Sequence, residues 1–383
     1  MSPSQSTLDR ILLQRKVIIT CGTGGVGKTT LSAALAIRAS LLGRNAVVIT
    51  IDPAKRLATS LGLQSLGDEG TDLTSRLQEA VAHARQAGWQ PPAHFQLTPP
   101  GRLEAIIPDT RQTFEAFLGS LSPSPGFSER VMKNPIFQIF AREFSGTNEY
   151  MALERLAKLH SLQKYDTIIL DTPPSRDTLA FLDAPQLLAR FFEERLINWL
   201  VMPANRLVSA GMKKAMQLLE KLTGSGFMAN LFDFASALFE VRLEFTANLK
   251  RITALLQSEE VGFLLVSAPA PQRVSEMASE IEHFVNSVRD HEFHFEGVVL
   301  NRSFADLEAS APLAEQITAE ANPQMKAALT LIQALQNREL GAASRSSATP
   351  GLHAQLPELA RDVHSVEDLL HVAMEFDRSP DRS

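Results

Sequence analysis

The stretch Gly22-Thr23-Gly24-Gly25-Val26-Gly27-Lys28-Thr29-Thr30 limits what this chain can fold into more than any other. It fits the spacing G-x-x-x-x-G-K-[ST]. It follows the apolar run Val17-Ile18-Ile19-Thr20 and precedes Leu31-Ser32-Ala33-Ala34-Leu35-Ala36-Ile37, which reads as helix. Strand, glycine loop and helix in that order are the setting in which this motif cradles phosphate. Backbone N–H groups of the loop and of the helix N-terminus are expected to point at the β-phosphate. Lys28 is placed to reach the β- and γ-phosphates as a point charge, and the Thr29 hydroxyl to ligate Mg²⁺.

The rest of the chain agrees with a soluble globular protein. A length of 383 residues suits two or three domains, or one large α/β domain with an insertion. With 44% hydrophobic and 21% charged residues the composition is globular. A net charge of −6 argues against a general nucleic-acid binder. Cys21 is the single cysteine, which excludes an intramolecular disulfide and a cysteine-cluster zinc site. Residues Met1 to Lys16 are polar and mixed in charge, so no signal peptide is expected. No uncharged apolar run of about 18 residues occurs, so no transmembrane helix is expected, and a cytoplasmic location follows.

Short apolar runs recur at Val17–Thr20, Ala46–Ile51, Thr167–Leu170, Gly262–Val266 and Gly297–Leu300, with a weaker one at Leu352–Leu356. Most are apolar throughout, as befits strands of a parallel sheet covered on both faces. Helical patterns between them indicate βαβ units. Residues 64–130 are mixed, with Pro and Gly clusters at 91–92, 99–101 and 122–126 that read as loops, and Asp109 followed by Gln112 marks the start of a helix through Phe114 and Leu118. Residues 186–257 carry no strand signal and hold three apolar-rich helices, Leu187–Val201, Arg206–Leu222 and Phe227–Leu256. The expected architecture is α/β, a P-loop NTPase with a doubly wound, mainly parallel sheet and a helical insert. The ATPase domain spans 14–185 and 258–376, the insert spans 186–257, and 377–383 form a disordered tail.

Two further strands end in an acid. Val47-Val48-Ile49-Thr50-Ile51-Asp52-Pro53 ends in Asp52, and Thr167-Ile168-Ile169-Leu170-Asp171-Thr172-Pro173 ends in Asp171. Functional groups of open α/β sheets gather at the carboxyl ends of strands. Asp171 is therefore placed as the Walker B acid, holding Mg²⁺ directly or through water. Asp52 is placed to orient or deprotonate the attacking water.

With these pieces the chain resembles the family of the arsenical-pump ATPase ArsA and the ATPase that targets tail-anchored membrane proteins. That family belongs to the deviant Walker A class with MinD and ParA. The resemblance runs through most of residues 15–375. Asp52-Pro53-Ala54-Lys55-Arg56-Leu57 resembles switch I (DPAHxL), and Asp171-Thr172-Pro173-Pro174-Ser175-Arg176-Asp177-Thr178-Leu179 resembles switch II (DTAPTGHTL). Gly146-Thr147-Asn148-Glu149-Tyr150 resembles a short G-x-D-E stretch ahead of a helix. Val298-Val299-Leu300-Asn301-Arg302 resembles the strand whose final Asn reads adenine, and Leu356-Pro357-Glu358-Leu359 the loop whose Pro covers the base. The resemblance implies Mg²⁺-dependent ATP hydrolysis coupled to opening and closing of a homodimer. Loss of the γ-phosphate would release both switches and move the insert.

The departures are equally informative. The family's loop begins G-K-G-G, and its first lysine reaches the partner's nucleotide; here that position is Thr23. Either catalysis is not shared across the dimer in that way, or another cation substitutes; Lys55, Arg56 and Arg176 are candidates, Arg176 foremost because it lies within switch II. Metalloid binding needs converging thiolates, so Cys21 alone predicts no arsenite site, and the intersubunit zinc CxxC is absent. The insert is rich in Phe and Met (Phe191, Phe192, Trp199, Met202, Met212, Met216, Phe227, Met228, Phe232, Phe234, Phe239, Phe245). These side chains either pack as core or form a groove for a hydrophobic protein client, as in the targeting relatives. The C-terminal helix around Val366–Phe376 carries Glu367, Asp368, Glu375 and Asp377 on its polar face, which predicts docking on the sheet and not on a membrane. Two alternatives stand beside the ATPase: a nucleotide-dependent hydrophobic-client binding module (holdase or targeting factor), and a positioning ATPase of the MinD or ParA kind. The latter needs DNA or lipid binding, for which no basic patch is present.

Overall fold

The computed structural model describes residues 6–50, 56–63, 70–97, 100–108, 110–122, 124–143, 147–172, 183, 185, 226–269, 274–303, 351–359 and 362–377. They form two compact units, one from residues 1–108, 158–179 and 256–383, the other from 109–157 and 180–255.

The first unit is built on an eight-stranded sheet. Its strands are β1 (Val17–Cys21), β2 (Ala46–Thr50), β3 (Thr71–Asp72), β4 (Leu103–Ile106), β5 (Thr167–Asp171), β6 (Val261–Ser267), β7 (Phe295–Ser303) and β8 (Leu352–Pro357), in the order β3-β4-β2-β5-β1-β6-β7-β8. Every pairing is parallel except the short antiparallel β3–β4 contact at the edge. The six apolar runs of the sequence are all strands. The other two strands, β3 and β4, lie inside the mixed segment 64–130, to which the sequence assigned no strand. There β4 carries Glu104 at its centre, buried yet satisfied by the Tyr165 hydroxyl at 2.7 Å and the Lys164 ammonium at 2.8 Å. A buried carboxylate is tolerated when such donors surround it, and neither donor is near it in sequence.

Strands β1, β2 and β5 are buried at every position, so both sheet faces are covered, as a parallel sheet requires. One face carries α1 (Thr7–Gln14), α2 (Lys28–Leu41), α4 (Thr74–Gln86) and the C-terminal helix α11 (Val366–Glu375); the short α3 spans Arg56–Ser60. Ala33, Ala34, Ala36 and Ala39 make α2 slim, and it is buried along nearly its whole length between sheet and outer helices. The helix α10 (Val274–Asp290) packs on β6 and β7. Leu369, Leu370, Val372 and Ala373 of α11 are buried, and the helix packs mainly on α2 and α4 and touches the sheet at β8, whereas the sequence suggests docking on the sheet itself.

A buried ion cluster joins these helices. Arg38 near the end of α2 donates to both Asp9 carboxylate oxygens (2.6 and 3.0 Å), to Asp377 at 2.7 Å and to the Ala373 carbonyl at 2.9 Å. His94 Nε2 lies 2.9 Å from Asp9, and the guanidinium sits over the Phe95 ring. Burial pushes the Asp9 carboxyl up, but the hydrogen bonds and charge of Arg38 outweigh it and hold the group below its ordinary value.

The second unit is helical among its described residues: α5 (Thr110–Leu121), α6 (Phe127–Lys133), α7 (Pro135–Glu143), most of α8 (Thr147–Ser161) and most of the 30-residue α9 (Phe227–Leu256). It draws on residues before the sequence-derived insert as well as within it. Phe114, Phe117, Phe137, Tyr150, Phe234 and Phe245 pack ring against ring, in edge-to-face and tilted contacts. Phe234 and Phe245 are thus core. Phe232 (36% exposed), Phe239 (41%) and Leu243 (69%) stand outside it. Phe191, Phe192, Trp199, Met202, Met212 and Met216 lie outside the described residues, as does the tail from 378.

Candidate nucleotide site

The strand order reverses direction at β1. From β1 the chain moves to β2 on one side of it, and later to β6 on the other. The carboxyl end of β1 is therefore a topological switch point, where open α/β sheets bind ligands. The loop Gly22–Gly27 leaves β1 there and enters α2. Gly22, Gly25 and Gly27 all hold positive φ. A Cβ on Gly22 would lie 2.2 Å from the Val266 carbonyl oxygen, and one on Gly27 2.2 Å from Asn301 Nδ2. Gly27 caps α2 without a side chain, so the amides of the first turn face the site and not a capping oxygen.

Lys28 is 6% exposed, and its Nζ donates to the Gly22 and Thr23 carbonyls at 2.7 and 3.0 Å. The ammonium is bent back over the loop that it is expected to serve. Behind it, Ser32 Oγ donates to the Lys28 carbonyl and lies 2.7 Å from Thr20 Oγ1, and Thr172 donates to the Thr20 carbonyl. These hydroxyls fix the first turn of α2 to the ends of β1 and β5.

The acid of β5 meets this loop directly. Thr29 Oγ1 donates to Asp171 Oδ2 at 2.7 Å, and Thr50 Oγ1 donates to the same oxygen at 2.8 Å. Asp171 itself is fully buried. The register Thr50↔Asp171 of the β2–β5 pair brings the second threonine into place. Hard hydroxyl and carboxylate oxygens of this kind suit Mg²⁺. Thr50 did not emerge from the sequence; it precedes Asp52 by two residues, but only the pairing register shows its partner.

On the β6–β8 side a cavity of about 180 Å³ opens beside the loop. It is lined by Gly27, Thr30 and Leu31 from the start of α2, by Asn301 and Arg302 at the end of β7, by apolar Leu356, Pro357, Leu359, Val363 and Val372, and by acidic Glu358, Asp362 and Glu375. Asn301 Nδ2 donates to the Val26 carbonyl at 2.9 Å, which ties β7 to the phosphate loop. The structure thus brings together Gly22, Gly27, Lys28, Thr29, Thr30, Asp171, Asn301 and Pro357 at one end of one sheet. Asp52 and Lys55 fall in 51–55, and Arg176 in 173–182, all outside the described residues, as is Gly146. Arg56 is exposed at the start of α3. Cys21, next to the loop, is fully buried, and burial pushes its thiol up to about 12.

Sequence comparison gives the geometry a context. The family model described as anion-transporting ATPase matches residues 15–82 and 126–333, well over half of the chain. A protein of Chlorobaculum tepidum named as an arsenical pump-driving ATPase is 26% identical over 250 residues, 64% of this chain and 54% of its own. ATPase GET3 of Malassezia globosa is 28% identical over 186 residues (48% and 47%), and ATPase GET3 of Chaetomium globosum 29% over 188 (49% and 48%). The chain spans about half the length of the curated relatives it matches.

Proposed function

Because the chain belongs to the anion-transporting ATPase family, we propose that it hydrolyses ATP at this site and that turnover opens and closes a homodimer. One observation carries the reading: Thr29 of the loop and Thr50 of β2 converge on one oxygen of Asp171, beside the folded-back Lys28. Three separate elements thus bring two hydroxyls and a carboxylate together beside the phosphate loop, a set of hard oxygens that suits Mg²⁺.

In this reading Lys28 leaves the Gly22 and Thr23 carbonyls for the β- and γ-phosphate oxygens, exchanging neutral acceptors for charged ones, which strengthens its hydrogen bonds. The loop amides and the α2 N-terminus receive the remaining charge. Thr29 and Asp171 would hold Mg²⁺, with Thr50 keeping the carboxylate oriented. An ion held there would supply positive charge against the charge that develops on the phosphate. Asp52, two residues beyond the end of β2, would orient the attacking water. The base would occupy the cavity between Asn301 and Pro357. Arg176 or Lys55 would supply the cation missing at Thr23.

Phosphate release by wild type and by Asp52→Asn tests this. We expect a fall of about 100-fold or more in kcat with ATP binding retained. Equal rates would remove Asp52 from the reaction, and no release by wild type would end the ATPase reading.

A second reading, a nucleotide-dependent module for hydrophobic clients, is favoured by Phe232, Phe239 and Leu243. Spaced by seven and four residues, they share one face of α9 and are exposed. A positioning role gains no such support: the apolar side of α11 is taken up by α2 and α4. None of the described helices is long and apolar enough to cross a membrane.

A further inference from the structure

Strand β7 ends irregularly. From Leu300 to Ser303 it takes three steps, while its partner takes two from Gln355 to Pro357. That is a bulge, a device that bends a strand and re-aims its side chains. The two residues at the bulge are Asn301 and Arg302. Arg302 holds φ +61, a left-handed conformation uncommon for a residue with a side chain. Such a backbone persists when its surroundings over-determine it.

The surroundings do so here. Arg302 Nε donates to Glu358 Oε2 at 2.6 Å and Nη2 to Oε1 at 2.8 Å, a two-pronged pair. The Glu358 N–H donates to the Ser303 carbonyl at 3.2 Å. Arg302 is 54% and Glu358 38% exposed, so the pair adds little to global stability. Its bidentate geometry nevertheless fixes direction as well as distance. Both residues line the cavity, between Asn301 on one side and Pro357 and Leu359 on the other. Asn301 Nδ2 gives one of its two N–H donors to the Val26 carbonyl, so the side chain keeps its Oδ1 acceptor and a second N–H donor. An acceptor and a donor on one amide, in a cavity that pairs apolar Leu356, Pro357 and Leu359 with charged Glu358, Asp362 and Glu375, suit the hydrogen-bonding edge of a base.

We propose that Arg302 is a positioning residue for nucleotide binding: clamped by Glu358, it holds the β7 bulge that presents Asn301 and fastens the residues after β8 that wall the base cavity. The inference rests on the nucleotide-site reading above. It makes the Arg302–Glu358 pair act on the base alone and leaves the triphosphate to the loop.

Two variants separate these roles. Arg302→Gly keeps the left-handed backbone accessible and removes the fork; Glu358→Gln keeps the shape and removes the charge. Steady-state hydrolysis is measured for each, together with inhibition by inorganic tripolyphosphate, which engages the loop without a base. Either variant is expected to raise the KM for ATP about 5–10-fold with kcat within about twofold. The Ki for tripolyphosphate should stay at the wild-type value, and the double variant should be no worse than the singles, because they share one interaction. A KM within about twofold of wild type in both variants would overturn the positioning role. So would a parallel rise in KM and tripolyphosphate Ki, which would mean general damage to the loop. Absence of ATP turnover and binding in the wild type would remove the nucleotide site itself and this inference with it. Normal wild-type turnover with unaffected variants removes the inference alone.

Discussion

Single residues at this site act through backbone geometry as much as through side-chain chemistry. Gly27 adopts φ +90 and leaves room for the Asn301 amide. Gly27→Ala would combine left-handed strain with a clash against that amide. Titration with a fluorescent ATP analogue should show affinity lowered roughly tenfold or more, and unchanged affinity would mean that the loop relaxes freely. Cys21 offers a different check. Its thiolate is the reactive species, and burial holds the thiol up at about 12. At pH 8 a disulfide reagent should label native protein about 100-fold more slowly than urea-unfolded protein. Fast native labelling would show that the end of β1 opens. Because the folded pKa is the raised one, the stabilising contribution is complete below the ordinary thiol value and is lost as pH climbs toward 12. The loop residues were legible in the sequence because their spacing is local. Thr50, Arg302 and Glu358 were not, since each acts through a partner distant in the chain.

At the level of elements, α1, α2 and α11 are joined by the Arg38 cluster and by apolar packing. Arg38 is 1% and Asp9 0% exposed, so removing one partner strands a buried charge. Arg38→Met should cost about 3–5 kcal/mol, read as a lower urea midpoint at an unchanged slope. A loss below 1 kcal/mol, on the order of a surface pair, would show that the cluster is open to water. Asp9 is held below its ordinary value, so its stabilisation is present above about pH 4 and is lost as pH falls through the lowered folded value. Asp9→Asn should flatten that part of the acid-stability curve. The strands legible in advance were the unbroken apolar runs. Strand β4 was not, because Glu104 interrupts its pattern and is compensated by Lys164 and Tyr165. The bounds of α9 matched the helix read at Phe227–Leu256, because Gly226 sits with φ +101 at its start.

For the whole molecule, the testable property is coupling between nucleotide and assembly. Sedimentation of the Asp52→Asn protein should show a dimer with ATP and Mg²⁺, and the same measurement with ADP should show more monomer. Identical profiles would count against a nucleotide-driven dimer. A dye that reports exposed apolar surface should respond to ATP, and Leu243→Asp should reduce its binding, if α9 presents a client face. A signal indifferent to nucleotide would leave the stripe as ordinary surface.

The phosphate loop, the parallel strands and the family can be read from the chain alone, because they depend on local spacing and on runs of one polarity. Which hydroxyls reach Asp171, how the β7 bulge turns Asn301 and which Phe residues of α9 are core emerge in the folded molecule. Those outcomes depend on strand register and on contacts between residues more than a hundred positions apart, such as Thr29 with Asp171 and Asn301 with Val26, which no local pattern encodes.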